Sequence, residues 1–293
     1  MQKITPFLWF DSQAEEAVNF YTSLFKDSKV LNVTRYGEAG PGPAGTVMTM
    51  NFQLSGQDFT ALNGGPEFKF TPAISLFANC DSEEEIDRLF ERLSAGGAIL
   101  MELGKYPFSD KFCWINDRYG VSWQLNLASG VQKITPFLTF VGKQHGKAEE
   151  AMNLYVSLFE NSSIQAIQRY GPESGESEGT VMHARFSLDG QEFMAIDGGL
   201  VHNWTFTEAV SLFVNCKTQK EVDLLWQKLT EGGEESQCGW LKDRYGVSWQ
   251  IVPTALGSLI GGPDPAGAQR AVQAMLQMRK LDLAALQRAY EGG

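Results

Sequence analysis

The stretch Asp117-Arg-Tyr-Gly-Val-Ser-Trp-Gln124 returns unchanged as Asp243-Arg-Tyr-Gly-Val-Ser-Trp-Gln250. Other stretches of the first half recur in the same order in the second half, among them Lys3-Ile-Thr-Pro-Phe-Leu8 and Gly45-Thr-Val-Met48. The spacing between the copies changes near Pro107, His145 and His202, and loops absorb such length changes at little cost. The sequence therefore predicts two homologous domains over residues 1–129 and 130–254, followed by a tail over residues 255–293.

Composition limits the class of protein. The chain has 293 residues and is 43% apolar, enough for two domain cores of about 125 residues each without disulfides. The formal net charge of −11, with no basic cluster, argues against a nucleic-acid partner. No apolar run reaches about 18 residues and no signal-peptide core is present, so we expect a cytoplasmic protein without a membrane partner. The four cysteines lack CxxC spacing and are expected to be reduced.

Each copy shows the same order of predicted elements twice. A strand over residues 3–10 precedes a helix for which Asp11 and Ser12 are the expected caps, and three short β-rich runs follow. A second unit begins with a strand over residues 73–80 and a helix capped at Asp81 and Ser82, and three further strands close the copy. Thr218 is the expected cap of the equivalent helix in the second copy. The chain thus holds four βαβββ modules in an α+β fold, two per domain. We expect one antiparallel-rich sheet per module and a cleft between the modules of a domain.

The tail has a different pattern. Asp264 is the expected N-cap of a helix with Pro265 at its first position. Apolar residues then recur at helical spacing, with a break near Asp282, which predicts two short amphipathic helices. We expect them to pack on a domain face, and binding of a partner is the alternative.

The order of elements and several motifs resemble a known family. The motifs are Ala14-Glu-Glu-Ala17, Asn63-Gly-Gly65, Asp197-Gly-Gly199 and the run from Cys238 to Gln250. Both copies resemble the PhnB-like branch of the vicinal-oxygen-chelate superfamily, which includes glyoxalase I, extradiol dioxygenases and bleomycin-resistance proteins. The resemblance implies tandem glyoxalase-like domains that form a covalent pseudo-dimer and take a small-molecule ligand. This branch often carries the label 3-demethylubiquinone 3-methyltransferase-like.

The sequence gives the methyltransferase label little support. The glycine cluster Gly40-Pro-Gly-Pro-Ala-Gly45 matches GxGxxG as a string, yet it contains two prolines and leads into a β-rich run instead of a helix. Without a helix N-terminus, no fan of backbone amides would hold a cofactor phosphate. The cluster is interpreted as a turn.

The metal-ligand positions of the superfamily are also altered. Where metal-using relatives have His in the first strand, the copies carry Thr5-Pro6 and Thr135-Pro136. Where those relatives end the last strand in Glu, the copies have Gln124 and Gln250. A neutral amide binds a divalent ion less well than a carboxylate. We therefore predict no metal ligand set and no cofactor, with a divalent ion as the alternative.

Three side chains are candidates for catalysis, all in the second copy. His183 lies inside a predicted strand, where a neutral imidazole could act as a base. Cys238 is a candidate nucleophile, provided that a base lies nearby. Gln250 occupies the altered ligand position. For each of them the alternative is an ordinary structural residue.

Further residues of the second copy are candidates for substrate binding. Arg169 could clamp an anion or instead pair with Asp243, as Arg35 could pair with Asp117. The tryptophans could line an apolar pocket, although alternation along a strand sends half of them to the core. A partial shell of metal ligands could form from Asp197, Glu208 and the three histidines, His145, His183 and His202. The substrate-binding set is Arg169, Asp197, Trp204, Glu208 and Trp240.

Two classes of function remain open. The first is an enzyme that acts on a small oxygenated metabolite in a cleft of the second copy, with or without a metal. The second is a non-catalytic protein that sequesters a small molecule, as antibiotic-binding relatives do. A metal-dependent isomerase, lyase or dioxygenase and a methyltransferase are weaker alternatives. Fold resemblance alone names no substrate.

Overall fold

The computed structural model describes residues 2–37, 42–129, 134–199 and 202–293. The predicted boundary at residues 129/130 and two of the six residues of the glycine cluster, Gly40 and Pro41, therefore involve positions outside the described residues. The part of the cluster that is described ends at Gly45, and a strand follows from Val47, as the sequence predicts. No helix within the described ranges is long and apolar enough to cross a membrane.

The chain forms the four predicted βαβββ modules. Module 1 contains β1 (Ile4–Phe10), α1 (Ala14–Leu24), β2 (Lys29–Arg35), β3 (Val47–Leu54) and β4 (Gln57–Asn63). Module 2 contains β5 (Ile74–Cys80), α2 (Glu83–Ser94), β6 (Ala98–Tyr106), β7 (Ser109–Asn116) and β8 (Ser122–Leu127). Module 3 contains β9 (Ile134–Phe140), α3 (Ala148–Leu158), β10 (Ser163–Arg169), β11 (Val181–Leu188) and β12 (Gln191–Asp197). Module 4 contains β13 (Val210–Cys216), α4 (Gln219–Thr230), β14 (Glu234–Glu235), β15 (Trp240–Lys242) and β16 (Ser248–Pro253).

The sheets do not follow the predicted one-per-module plan. Modules 2 and 3 share one eight-stranded sheet with the order β10-β11-β12-β9-β5-β8-β7-β6, and the other eight strands have the order β14-β15-β16-β13-β1-β4-β3-β2. In the first of these sheets, antiparallel pairing of β5 with β9, from Ile74 opposite Leu138 to Ala78 opposite Ile134, joins a module of each copy. The boundary between the two copies in the sequence is therefore not a boundary between sheets, because β5 of the first copy and β9 of the second copy are hydrogen-bonded to each other.

By compactness the chain divides into two units, Pro6–Val210 and Met1–Thr5 with Ser211–Gly293. The first contains the whole sheet of modules 2 and 3. Here α3 packs on β10, β11 and β12, and α2 packs on β5 to β8. In the second unit, α4 packs on β15 and β16, and the backbone N–H of Asn215 donates to the carbonyl of Lys3 over 2.9 Å.

The repeated Asp-Arg-Tyr-Gly-Val-Ser-Trp motif builds a tight turn before the last strand of each copy. The buried carboxylate of Asp117 accepts hydrogen bonds from the backbone N–H groups of Tyr119 and Val121 and from Trp123 Nε1. Asp243 has the same three partners in the second copy, Tyr245, Val247 and Trp249. Trp123 and Trp249 are fully buried. The motif is thus structural, and it fixes the entry of the closing strand.

Two of the predicted helix caps are confirmed, and one is wrong. Ser82 and Thr218 accept from the backbone N–H groups of Glu85 and Glu221, which starts α2 and α4 as predicted. Asp11 and Ser12 do not cap α1. The backbone N–H of Ala14 instead donates to Asn63 Oδ1 at 2.7 Å, because the end of β4 brings this side chain to the start of the helix.

The tail forms three helices, α5 (Leu256–Ile260), α6 (Pro265–Leu276) and α7 (Leu283–Glu291), of which the sequence predicted the last two. Asp264 and Asp282 cap α6 and α7 as expected. Within the C-terminal unit the tail covers module 4, where Leu281 and Leu286 are fully buried in a cluster with Val252. The backbone N–H groups of Cys238 and Gly239 donate to carbonyls of the tail, both over 2.7 Å. Packing on a domain face is therefore confirmed.

The shared sheet predicts how one copy would behave alone. A fragment of residues 1–129 keeps β5 but loses β9, so that a buried edge of β5 becomes unpaired. Because such an edge pairs readily with another chain, we expect the fragment to self-associate as a dimer. Size-exclusion chromatography with light scattering would measure this, with the full chain as the control. A folded monomeric fragment would contradict the pairing.

Candidate functional site

The candidate site is one face of the sheet formed by modules 2 and 3. The carboxylate of Asp197 accepts from the backbone N–H of Ala148, so that side chain points towards α3. Neighbours along a strand alternate between faces, and residues paired across strands share a face. Met194 lies three positions before Asp197 on β12, so its side chain is on the opposite face from that of Asp197. Phe137 on β9 is paired with Met194 and shares its face. These side chains therefore lie on the face turned away from the helices, here called the inner face.

Register extends this face across the sheet. Phe137 is paired with Ser75, and Thr135 with Phe77. Phe77 is also paired with Gln124 on its other side. The same rule places the following residues on the inner face: Ser75, Phe77, Phe112, Trp114, Asn116, Ser122, Gln124, Thr135, Phe137, Thr139, His183, Arg185, Met194 and Ile196.

Aromatic rings form a continuous part of the inner face. The rings of Phe77 and Phe137 are stacked with their centroids 6.0 Å apart, and Phe112 lies 6.4 Å from Phe77. His183 lies 6.0 Å from Phe137 on the other side. The ring of Trp114 contacts that of Trp204 edge-on at 6.3 Å. Flat apolar walls of this kind suit small organic ligands.

Polar groups on the same face fall into two sets. In one set the groups bond to each other: Gln124 Nε2 donates to Ser75 Oγ at 2.8 Å, and Trp114 Nε1 donates to Ser122 Oγ at 2.9 Å. In the other set they have no partner in the described part of the chain, although their atoms are buried. This set consists of Asn116 Oδ1, Thr135 Oγ1 and Thr139 Oγ1. A buried polar group without a hydrogen bond costs about 1–3 kcal/mol, so three of them on one face are an unusual feature.

His183 is the inner-face histidine, and it is half-buried. Burial, and secondly the positive charge of Arg185, lower the pKa of His183 below its ordinary value. The imidazole is therefore neutral near pH 7, with one nitrogen that donates and one that accepts. It can exchange a proton or a hydrogen bond with a ligand over Phe137.

The resemblance implies metal-ligand positions at Thr135-Pro136 and at Gln124. Thr135 and Gln124 lie on this face, and both are opposite Phe77. A hydroxyl and an amide that already donates to Ser75 do not fit a divalent ion, which prefers imidazole and carboxylate ligands. In the described ranges, no three His, Cys, Asp or Glu side chains are grouped to hold a metal ion. We derive no step through a metal.

The predicted partial ligand shell does not form. His183 is on the inner face, whereas the carboxylate of Asp197 faces α3 and accepts from the backbone N–H groups of Gly146, Ala148 and Val181. His145 is bonded to the carbonyl of Gly198. The shell fails because His183 and Asp197 are on neighbouring strands in a register that sends them to opposite faces. Asp197 holds the start of a helix, like its counterpart Asn63.

Arg169 does not pair with Asp243, and its guanidinium is not held on the inner face. It makes two hydrogen bonds to the carboxylate of Glu149, at 2.7 and 2.8 Å, on the exposed side of α3. Arg35 pairs with Glu15 in the first copy. Trp204 is half-buried and contacts both Trp114 and His202. Glu208 is half-buried just before β13. Of the predicted substrate-binding residues in this unit, Trp204 is the one placed against an inner-face ring.

The other candidates belong to the C-terminal unit. Gln250 Nε2 donates to Ser211 Oγ at 2.9 Å, which repeats the Gln124 and Ser75 pair. Cys238 Sγ donates to the carbonyl of Met275 in the tail, and burial raises the pKa of the thiol. A raised pKa disfavours the thiolate that a nucleophile needs. Trp240 lies opposite Gln250. Neither compact unit brings Cys238 or Gln250 together with His183.

Sequence reasoning missed most of the inner face. Thr135 was noted only as a missing ligand, and Arg185, Thr139 and Phe137 were not singled out. Alternation gave a usable signal, because Arg185 is two residues from His183 on the same strand. Other side chains of the inner face come from β9 and β5, and the repeats in the sequence do not reveal the pairing of these two strands.

Tandem βαβββ modules around this face define a glyoxalase-like fold. A family model described as 3-demethylubiquinone-9 3-methyltransferase matches residues 2–126 and 132–252. The chain belongs to this family, in its tandem PhnB-type form.

Two solved structures are similar to the chain. The PhnB protein of Bacillus cereus, which carries the same methyltransferase description, is 56% identical over 43% of this chain and 100% of its own, with a TM-score of 0.42. A glyoxalase I variant from Zea mays is 11% identical and covers 86% of this chain and 95% of its own, with a TM-score of 0.54. The second likeness shows the fold alone. No curated protein matches the chain.

Proposed function

We propose that this protein binds a small organic molecule on the inner face of the sheet formed by modules 2 and 3, without a metal in the ligand contacts. The observation that carries the proposal is the set of buried polar atoms without a protein partner, Asn116 Oδ1, Thr135 Oγ1 and Thr139 Oγ1, next to the stacked rings of Phe77 and Phe137. A ligand with a flat apolar body and polar substituents would satisfy both features.

The proposed site differs from the expectation that the second copy mainly forms the cleft. Thr135, Phe137 and His183 come from module 3, whereas Ser75, Phe77 and Gln124 come from module 2 of the first copy. A ligand on this face would contact both copies. Binding is favoured over nucleophilic catalysis, because burial raises the pKa of the Cys238 thiol and its Sγ donates to the carbonyl of Met275.

Catalysis by His183 is a second candidate function. A neutral, half-buried imidazole beside an aromatic ring is suited to take a proton from a bound carbon or oxygen acid. For His183→Ala, an enzyme would lose turnover by orders of magnitude. A binding protein would lose about 1–2 kcal/mol of affinity at most.

The methyltransferase description of the family is not part of the proposal. The glycine cluster leads into β3 and not into a helix, which is the wrong context for a nucleotide-binding turn. The aromatic inner face could accept a quinone-like ring, so aromatic alcohols and quinones belong in a ligand screen by thermal shift.

Replacement of the unpartnered hydroxyls tests the site. In Thr135→Val and Thr139→Val a methyl group replaces a buried hydroxyl that has no partner. We expect unchanged or slightly higher stability, by about 1 kcal/mol, and about fivefold to tenfold weaker binding of a screened ligand. Thermal unfolding and titration calorimetry measure the two effects.

The first copy provides a matched control. Thr5 is the counterpart of Thr135, is also buried, and lies in the other sheet. Thr5→Val should leave ligand affinity unchanged. Equal loss of affinity in Thr5→Val and Thr135→Val, or no loss in either, would place the ligand elsewhere.

A further inference from the structure

We infer that the ligand of the inner face carries an anionic group, a carboxylate or a phosphonate, attached to its aromatic body, and that Arg185 binds this group. The inference rests on the proposed function and names the class of ligand. It depends on the position of Arg185, its lack of a partner and its difference from the first copy.

Arg185 lies on the inner face, at the end of the series of aromatic rings described above. Pairing runs from Arg185 on β11 to Met194 on β12 and on to Phe137 on β9. Neighbouring strands lie about 4.8 Å apart, so the guanidinium can reach the edge of a molecule that rests on Phe137. His183 lies on the same face of β11 and contacts the ring of Phe137. Its neutral imidazole can donate one further hydrogen bond to the same ligand group.

Arg185 differs from the other arginines of its unit in having no partner in the described part of the chain. Arg88 donates to the carbonyl of Leu24, and Arg92 lies over the ring of Phe20. Arg118 pairs with Glu16, Arg169 with Glu149 and Arg35 with Glu15. In the described part of the chain Arg185 has neither an ion pair nor a hydrogen bond. The chain has 35 acidic and 24 basic residues, so a guanidinium left unpaired beside an apolar face is notable. Its planar fork matches a carboxylate or a phosphonate.

The first copy shows that the basic side chain is not required by the fold. Asn51 is the counterpart of Arg185, and Thr49 is the counterpart of His183. Asn51 Oδ1 accepts a hydrogen bond from Thr60, so its polar group is satisfied by a neighbouring strand. The same strand position is therefore neutral in module 1 and positively charged in module 3. A charge that appears in one copy only indicates a role for the ligand of that sheet.

The test uses an acid and its neutral isostere, 2-naphthoate and 2-naphthamide, on the full chain. Titration calorimetry gives the affinity of each for the unchanged protein, for Arg185→Gln and for Thr135→Val. We expect 2-naphthoate to bind more tightly than 2-naphthamide and Arg185→Gln to weaken 2-naphthoate alone, by about tenfold or more. Thr135→Val should weaken both. Higher salt should weaken the binding of 2-naphthoate more than that of 2-naphthamide. The affinity of phenylphosphonate, compared with that of 2-naphthoate, tests whether the site takes a phosphonate or a carboxylate.

Controls keep folding apart from binding. Arg118→Gln removes an arginine that is paired with Glu16 and should not change the affinity of either probe. Arg185 is exposed, so its variant should unfold at the temperature of the unchanged protein. Equal binding of both probes that is insensitive to Arg185→Gln but weakened by Thr135→Val would overturn the anionic class and leave the binding site in place. If Arg185→Gln abolishes the binding of 2-naphthoate but Thr135→Val has no effect on it, the placement of the ligand on the inner face is overturned. If neither these probes nor phenylphosphonate bind, the anionic class is overturned, and failure of the neutral ligands in the thermal-shift screen would overturn the proposed function as well.

Discussion

Replacement of Asp117 by Ala is expected to cost about 4 kcal/mol of unfolding free energy. The carboxylate accepts four hydrogen bonds, from Tyr21 Oη at 2.6 Å, Trp123 Nε1 at 2.9 Å and the backbone N–H groups of Tyr119 and Val121 at 2.9 and 3.0 Å. All four donors would lose their acceptor, and the Tyr21 and Trp123 side chains are fully buried. Tyr21 belongs to α1, so the variant would also loosen module 1 from module 2.

Urea denaturation would measure this loss. Asp110→Ala is the matched control, because the Asp110 carboxylate is 79% exposed and pairs with Lys105, itself 78% exposed. Exposed pairs of this kind contribute little to stability, so the control should be close to neutral. A loss below about 1 kcal/mol in Asp117→Ala would show that water replaces the carboxylate, which its burial argues against.

Removal of the tail after Pro253 is expected to unfold the C-terminal unit. The tail covers Val252 on β16 and packs against Phe213 on β13, and it buries Leu281 and Leu286. The truncated chain would expose this apolar cluster, and a patch of that kind leads to aggregation. The backbone N–H groups of Cys238 and Gly239 would also lose their acceptors in the tail.

Two leucine variants test whether the tail stabilises the unit through its buried side chains. Leu281 is fully buried, whereas Leu276 is 53% exposed at the end of α6. Leu281→Ala should cost about 3 kcal/mol, and Leu276→Ala should be close to neutral. Chemical denaturation followed by tryptophan fluorescence reports on the unit, which contains Trp226, Trp240 and Trp249. Equal losses in the two variants, or a soluble and stable truncated chain, would refute a packing role of the tail.

Much of the local structure could be predicted because its causes lie within a few residues. Ser82 and Thr218 sit three residues before the backbone N–H groups that they cap. Asp264 and Asp282 start tail helices for the same reason. The cap of α1 could not be found in this way, since Asn63 reaches Ala14 from the end of β4.

Less of the candidate site could be predicted, because strand register decides which side chains share a face. His183 was identified as a candidate and does lie on the inner face beside Phe137. Asp197, on the neighbouring strand, was expected to join it and points the other way. A register shift of one residue would exchange the two faces, and irregular pairing between β10 and β11 at Gln168 and Arg169 shows that such shifts occur in this module.

The amino-acid sequence by itself determined the four βαβββ modules and the helical tail, because repetition, periodicity and capping are local properties of the chain. The tertiary structure alone decided that module 2 pairs with module 3 through β5 and β9, and therefore that Thr135 and Phe77 lie side by side on the inner face. All four modules have the same order of elements, so local sequence does not distinguish one partner edge from another. That choice depends on the complementarity of two β edges that come together only when the chain is folded.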